Sequence, residues 1–191
     1  MHVGDPALAA VRSREELAAV MADGVRPKWV MFWGHTERKG GGTRQECLSQ
    51  WWPSEFTVDG VTYASAEHWM MAGKARMFGD EEIAQQVLEA QSPAEAKKLG
   101  RLVKGFDDER WVAGRFELVV AGNVAKFGQD ETLRSYLLGT GDRVLVEASP
   151  LDRIWGIGLA ADDIRSQQPS EWRGLNLLGF ALMEARARLG A

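Results

Sequence analysis

Cysteine pairs, membrane-length apolar runs and excess positive charge are all missing from this chain, and each absence excludes a class of protein. Cys47 is the only cysteine, so an internal disulfide is impossible and nothing argues for an oxidising compartment. No run reaches the ~18 apolar residues of a membrane span. The formal net charge of −4 disfavours a sequence-independent grip on long nucleic acid, because that grip needs many cations against phosphates. A small nucleotide or a single modified base needs only a few local positive groups.

Signals for export, metal binding and dinucleotide binding are also missing. Residues 1–6 contain no basic segment followed by an apolar core, so we expect a cytoplasmic protein. The three histidines have no metal-ligand spacing and no GxGxxG motif follows a predicted strand, so we predict no metal and no cofactor. Cys47 has no His/Asp pattern around it, and we interpret it as a packing residue rather than a nucleophile.

Helical patterns dominate the 191 residues, a length that suits one domain with a single core. Short apolar runs predict strands at 29–33 and 144–147, and Asp59-Gly60 between two strand-like pieces predicts a hairpin. The predicted fold is α+β, a single helix-dominated domain at residues 25–191 with a few short strands, after a helical extension at residues 1–24. Capping and breaker residues predict further helices at about 80–90, 93–103, 109–127, 131–138 and 176–189.

The helix predicted after Ser65 places a carboxylate and an amine on one face. Ser65 is a plausible N-cap, and Glu67 then lies in the first turn, where the helix dipole favours a negative charge. Lys74 returns to nearly the same angular position about 10 Å further along the axis. Met70 and Met71 lie between them, so the lysine stem can lie back over the methionines toward the carboxylate. An ordinary amphipathic helix with a charge at each end is the alternative.

Four separated motifs occur in a fixed order, and together they resemble the YbiA/NADAR family of N-glycosidases over about residues 30–189. Two local features depart from the family: Gln50 stands where it usually has Asn, and residues 37–44 look like an inserted loop. The motifs are Phe32-Trp-Gly-His35 followed by Leu48-Ser-Gln-Trp-Trp-Pro53, then Tyr63-Ala-Ser-Ala-Glu-His-Trp-Met-Met-Ala-Gly-Lys74, Glu147-Ala-Ser-Pro-Leu-Asp-Arg-Ile-Trp-Gly-Ile-Gly158, and Trp172-Arg-Gly-Leu-Asn-Leu-Leu-Gly179 leading into Met183-Glu-Ala-Arg186.

The resemblance implies a metal-independent N-glycosidase that hydrolyses the bond between ribose C1 and an amino nitrogen of a base. It implies two substrate groups: ADP-ribose on guanine, and phosphorylated ribosylamino-pyrimidine intermediates of riboflavin biosynthesis. The expected partner is a small nucleotide substrate or an ADP-ribosylated guanine base in nucleic acid, with no membrane and no obligatory protein partner. A non-catalytic ADP-ribose or nucleotide-binding module is the alternative, although it would have no use for Glu67 and Lys74 on one stripe.

Cleaving an N-glycosidic bond leaves positive charge on the anomeric carbon and requires the departing nitrogen to be protonated. Glu67 is therefore assigned charge stabilisation and base chemistry. Asp152 is assigned a second acid/base or ribose-orienting role, and the alternative is that it caps a turn and pairs with Arg153. Lys74 is assigned as a nucleophile, which fits an imine with ring-opened ribose, or alternatively as an electrostatic partner of a phosphate or of Glu67. His68 lies about 100° around the helix from Glu67 and should point elsewhere.

Aromatic and glycine residues supply the predicted substrate-binding positions. Phe32, Trp33 and Trp155 are candidates for stacking on a base, with core packing as the alternative for each. His35 follows Trp33 and is expected to line the pocket. The remaining substrate-binding candidates are Gly34, Arg38, Gly156 and Asn176.

A basic glycine-rich segment runs from Arg38 to Arg44. Its three consecutive glycines let backbone N–H groups converge on an anion, and three cations surround them, so the segment could cradle a phosphate. It lacks the strand–loop–helix context and the terminal Lys-Ser/Thr of a Walker loop, so a P-loop is excluded. A surface loop without a ligand is the alternative.

Overall fold

The computed structural model describes residues 6–35 and 43–191. The α+β prediction is confirmed, and the predicted strands, hairpin and helices are all present within a few residues of their expected ends.

Contacts divide the chain into two compact units, Met1–Ser49 with Thr132–Ala191 and Gln50–Glu131. The described α-helices and strands are, in order, α1 (Pro6–Ala9), α2 (Arg14–Ala22), β1 (Trp29–Phe32), β2 (Phe56–Val58), β3 (Val61–Tyr63), α3 (Ala66–Met77), α4 (Glu81–Glu89), α5 (Pro93–Gly100), α6 (Asp108–Gln129), α7 (Glu131–Gly139), β4 (Val144–Glu147) and α8 (Leu177–Gly190).

The first unit, here called the sheet unit, is built on a parallel pair of strands. β1 pairs with β4 so that Trp29 lies opposite Val144 and Phe32 opposite Glu147. α8 packs against β4, and the apolar run of β4 is completely buried, as expected of a strand covered on both faces. Because the strands are parallel, both carboxyl ends lie at one edge of the pair and both amino ends at the other.

The N-terminal helix α2 is part of the sheet unit. Ser13 caps it, because its hydroxyl accepts a hydrogen bond of 3.1 Å from the backbone N–H of Glu16. Leu17 is completely buried, and Arg12 forms a 2.6 Å ion pair with Glu184 of α8. The division into an extension at 1–24 and a domain at 25–191 stays a prediction, since these contacts tie the extension to the C-terminal helix without settling a domain boundary.

The second unit, here called the helix unit, begins with a hairpin that leads directly into α3. Asp59 (φ 51°) and Gly60 (φ 79°) form the two-residue turn between β2 and β3, and both adopt the left-handed conformation that this turn requires. Phe56 stacks on Tyr63 across the strands with ring centroids 5.8 Å apart. Two residues after the hairpin, the hydroxyl of Ser65 caps α3 as predicted.

Helix α3 lies at the centre of the helix unit and contacts α4, α5 and α6. Small residues allow these helices to approach closely. A Cβ placed on Gly122 of α6 would lie 2.3 Å from Cδ1 of Trp69, so only glycine fits there. Among the residues described, no helix is long and apolar enough to cross a membrane.

Candidate active site

Glu67 lies at the buried N-terminal end of α3. It is only 3% exposed, and its backbone N–H donates a 3.0 Å hydrogen bond to the carbonyl of Gln50. The Ser65 cap begins the helix and places Glu67 in its first turn, where the helix dipole stabilises negative charge. The structure therefore holds a buried carboxylate at the position that the sequence predicts for the charge-stabilising group.

A cluster of buried polar side chains belongs to the same unit, and sequence reasoning missed most of it. Asn123 of α6 donates from Nδ2 to Oε1 of Gln50 (3.1 Å) and to the carbonyl of Val119 (2.9 Å). Nε2 of Gln50 and Oδ1 of Asn123 are buried and have no hydrogen-bond partner in the part of the chain that the structure describes. Buried amide atoms normally have a hydrogen-bond partner. These two atoms are therefore available to a polar ligand.

Lys126, one turn after Asn123, is completely buried on the same helix. Its Nζ lies 4.9 Å from the ring centroid of Phe127. Lysine is almost never fully buried unless it is paired. The sequence signal was present, because an amide and an amine three residues apart occur on the largely apolar buried face of a long helix.

Lys74 is on α3 as predicted, and its amine has a backbone partner in the neighbouring helix α5, while its approach toward Glu67 stays a prediction. Nζ donates a 2.8 Å hydrogen bond to the carbonyl of Gly100, at the end of α5. It also lies 4.5 Å from the ring centroid of Phe106 and 5.7 Å from that of Trp111. Burial, helped by the nearby charge of Arg101, lowers the pKa of the Lys74 amine. The direction of this shift agrees with the predicted desolvation, and favours a nucleophilic amine.

His68 is buried, and both of its ring nitrogens have partners within the helix unit. Its Nε2 lies 3.1 Å from the carbonyl of Ala90 and its Nδ1 lies 2.7 Å from the hydroxyl of Ser65. A carbonyl can only accept, so the arrangement assigns the proton to Nε2 of a neutral ring. Burial lowers the pKa of His68, against the opposing effects of the Ala90 carbonyl and of Glu95.

Asp152, in the sheet unit, organises the loop that follows β4. Its Oδ1 accepts hydrogen bonds of 2.8 Å from the backbone N–H groups of Ile154 and Trp155, and its own N–H donates to the hydroxyl of Ser149 (3.2 Å). This geometry is the turn-capping alternative, although the described contacts include no ion pair between Asp152 and Arg153. One carboxylate oxygen is thus committed to the loop, and the acid/base or ribose-orienting role stays a prediction.

Asn176, one of the predicted substrate-binding residues, joins β4 to the start of α8. It is completely buried and adopts a left-handed conformation (φ 54°) just before α8. Its Oδ1 accepts from the N–H of Glu147 (3.0 Å) and its Nδ2 donates to the carbonyl of Leu145 (3.0 Å). Both ends of the amide are therefore engaged by β4, which gives Asn176 a structural role, and its substrate-binding role stays a prediction.

Gly156 is also buried, and close packing explains why a glycine stands there. A Cβ there would lie 2.9 Å from the carbonyl oxygen of Glu147, and a Cβ on Gly174 would lie 2.2 Å from the carbonyl oxygen of Gly156. The two glycine-containing motifs therefore meet backbone to backbone, which fixes the loop that carries Trp155.

The aromatic candidates separate into core and surface. Phe32 is 2% exposed at the end of β1, which favours core packing, the alternative to its predicted stacking role. Trp33 is 60% exposed, Gly34 and His35 are also exposed, and Trp155 is half-buried. Arg38 and the three glycines of the basic segment lie outside the described residues. Within the described ranges, no group of three or more His, Cys, Asp or Glu side chains is arranged for a metal ion.

The exposed candidates of the sheet unit are grouped at the carboxyl edge of its strands. Trp33 directly follows β1, and the backbone N–H of Ala148 donates a 2.9 Å hydrogen bond to the carbonyl of Phe32. Glu147, which sequence reasoning did not select, ends β4 at the same edge. Ligands of open parallel sheets bind at this edge, so the position of Glu147 directly before the Asp152 loop makes it a further candidate.

Sequence comparisons with known proteins find a family model and relatives that match most of this chain. The model of the NADAR domain matches residues 31–190. An N-glycosidase of Acanthamoeba polyphaga mimivirus is 40% identical over 164 residues, which cover 83% of this chain and 95% of that protein. A riboflavin biosynthesis protein of Vibrio vulnificus is 32% identical over 142 residues, 74% of this chain but only 35% of that protein.

Structural comparison gives the same result. The NMR structure of the Escherichia coli protein YbiA matches with a TM-score of 0.69 and 26% sequence identity, over 87% of each chain. The family model covers most of the chain and includes the end of β1, the other three strands, the Glu67 helix and the Asp152 loop described above. The chain belongs to the NADAR domain family.

Proposed function

We propose that this protein is an N-glycosidase, a hydrolase that cleaves the bond between C1 of a ribose and an amino nitrogen of a base. The observation that carries the proposal is the buried carboxylate of Glu67 on the same helix as the desolvated amine of Lys74. The mimivirus relative is named an N-glycosidase, and the motifs that contain these two residues lie within the NADAR match.

The carboxylate of Glu67 suits the charge that develops during this reaction. As the C1–N bond breaks, C1 and the ring oxygen become positive, and a buried anion stabilises them more strongly than an exposed one because little water screens it. Hydrolysis is completed when a water oxygen bonds to C1 and the departing nitrogen takes up a proton. Glu67 can accept the proton of that water, which makes it both the electrostatic group and the base.

Lys74 offers a covalent route to the same products. Its neutral amine would attack C1 and form a C–N bond while the bond to the base breaks and the base nitrogen is protonated. Ring opening then gives an imine, and water hydrolyses it to release the sugar and restore the amine. The lowered pKa of Lys74 favours this route because it increases the neutral fraction of the amine.

Substrate contacts are assigned from the spare polar atoms and the accessible rings. In the helix unit, Nε2 of Gln50 and Oδ1 of Asn123 provide a donor and an acceptor that ribose hydroxyls could satisfy. In the sheet unit, Trp33 and Trp155 are the candidate stacking surfaces and Asp152 the candidate second acid/base or ribose-orienting group. Each of these roles is a proposal about the residue in its own unit.

Two substrate groups are tested in one experiment. The protein is mixed with ADP-ribosylated guanosine and, separately, with a phosphorylated ribosylamino-pyrimidine, and released ADP-ribose or ribose 5-phosphate is measured by chromatography with mass detection. We expect release from one of them and none with the Glu67→Gln variant. If the protein binds one or both compounds but releases product from neither, the proposal is overturned and the non-catalytic ADP-ribose or nucleotide-binding module is supported.

A further inference from the structure

The amino edge of the strand pair carries a cleft that is separate from the carboxyl edge described above. Its volume is about 620 Å³. Lys28 directly precedes β1 and Arg143 directly precedes β4, and both line the cleft together with Arg186 near the end of α8. Three cations therefore converge in one depression of the sheet unit, in a chain whose overall charge is negative.

Carboxylates only partly balance these cations. Asp142 is the one acidic side chain in the lining of the cleft. Glu184, on the same helix as Arg186, pairs with Arg12 and Arg188 instead. In the contacts that the structure describes, no carboxylate lies within ion-pair distance of Arg143 or Arg186.

Arg186 is one of the cations whose charge is not balanced by a paired carboxylate. Its Nη1 donates to the hydroxyl of Thr140 (2.7 Å) and to the carbonyl of Arg143 (2.9 Å), which leaves further N–H groups of the guanidinium available. Burial, together with the charges of Arg12 and Arg143 and against the opposing charge of Asp142, lowers the pKa of Arg186 to about 10. A guanidinium that is partly desolvated beside other cations gains from an anionic ligand.

A second cleft adjoins the first and provides space for a ring. Its volume is about 480 Å³, and Thr140 and Arg143 line both clefts. Trp29 and Tyr136 contribute aromatic surface to it. Burial raises the pKa of Tyr136 to about 12, so its hydroxyl is a neutral donor at physiological pH.

We propose that the amino edge binds a phosphate-bearing nucleotide, with its phosphates against Lys28, Arg143 and Arg186 and its ring in the adjoining cleft beside Trp29. A planar guanidinium binds phosphate oxygens in pairs, which suits Arg186 to this role. The three cations of this site are on the opposite edge of the strand pair from Trp33 and Asp152, and the adjoining cleft extends from them along β1. It is independent of the proposed glycosidase activity and does not require that activity to be correct.

The test is a titration of the full-length, isotopically labelled protein with ADP, followed by NMR. We expect the backbone amide signals of Gly141, Asp142 and Ala187, which line the cleft, to shift with a saturating dependence on ADP. Pyrophosphate should shift the same signals at higher concentration, and adenosine should not shift them. Raising the ionic strength should weaken ADP binding, because the charged contacts are partly exposed to solvent and salt screens them.

Matched variants show whether the three cations are responsible for ADP binding. Lys28→Gln and Arg186→Gln should each weaken ADP binding about tenfold, the loss expected for one charge-assisted contact. Lys98→Gln, a lysine on the helix unit, and Arg188→Gln, two residues from Arg186, should leave it unchanged. Lys28 is exposed and makes no described side-chain bond, so its variant decides the question even if Arg186→Gln fails to fold. Unshifted signals at the amino edge, or equal affinity in Lys28→Gln, would overturn the proposal.

Discussion

The ammonium group of Lys74 donates a 2.8 Å hydrogen bond to the carbonyl oxygen of Gly100. This bond joins the last turn of α3 to the end of α5, while Phe106 and Trp111 cover the same amine. A Cβ on Gly100 would also collide with Sδ of Met71, so the small residue allows both the methionine and the lysine to pack there. The amine is thereby fixed and desolvated before any substrate binds.

Lys74→Arg distinguishes the covalent mechanism from an electrostatic one. Arginine keeps the positive charge but cannot form an imine, so the variant should be inactive if Lys74 attacks the ribose. Borohydride added to the wild-type enzyme during turnover should trap a stable adduct on Lys74, detected by intact mass and peptide mapping. Substantial activity in Lys74→Arg together with no adduct would leave direct water attack, supported by Glu67, as the mechanism.

Glu67→Gln should fold normally yet lose nearly all turnover. The amide keeps the size of the side chain but removes the charge beside the developing cation, a loss of roughly 10²–10³ in kcat for a buried electrostatic group. Turnover and the melting temperature are measured on the same preparation. A matched change at an exposed acid of α4, Glu82→Gln, should leave kcat unaltered. Near-wild-type kcat in Glu67→Gln would sink the assignment.

Local sequence rules predicted the elements around Glu67 well. The Ser65 cap and the Asp59-Gly60 turn depend on residues two or three positions apart, and both are present as expected. The i, i+7 spacing also placed Glu67 and Lys74 on one helix. The partner of the Lys74 amine was not predictable in the same way, because Gly100 belongs to another helix.

Asn176 shows the same limit within the sheet unit. A polar residue between leucines in a glycine-containing motif is compatible with ligand binding, and the sequence offers no sign that β4 would occupy both ends of its amide. Those partners lie 29 and 31 residues earlier in the chain. The parallel pairing of β1 with β4 is a similar long-range choice, since a short apolar run does not specify its neighbour.

Trp155→Ala should weaken substrate binding more than it slows chemistry. Its ring is half-buried, and loss of one stacking face costs about 1–3 kcal/mol by analogy with base–aromatic stacking. KM should rise while kcat changes little. Trp33→Ala, which removes a largely exposed ring, should keep the wild-type melting temperature and serves as the comparison. A Trp155→Ala protein that is simply unfolded would show that this ring is a core residue.

His68 should make the protein less stable as the solution becomes mildly acidic. Burial lowers its pKa below the ordinary value of 6.5, so the unfolded chain binds the proton at a higher pH than the folded protein does. The free energy of unfolding should therefore fall as the pH drops below about 6.5, and level off below the folded pKa. His68→Gln lacks this proton, so its melting temperature should fall less between pH 7.5 and pH 5 than that of the wild type. Equal slopes for the two proteins would contradict the assignment.

Asn176 should be essential for stability rather than for substrate contact. Asn176→Ala removes two buried hydrogen bonds to β4 and puts a Cβ-bearing residue less tolerant of positive φ at 54°, for an expected loss of roughly 2–4 kcal/mol in the free energy of unfolding. Asn176→Gly loses the same bonds but tolerates the conformation, so it should be the less destabilised of the two by up to about 1 kcal/mol. Urea unfolding of both variants measures the difference. If either variant unfolds like the wild type but shows a raised KM, the amide contacts substrate and the structural role assigned to it is wrong.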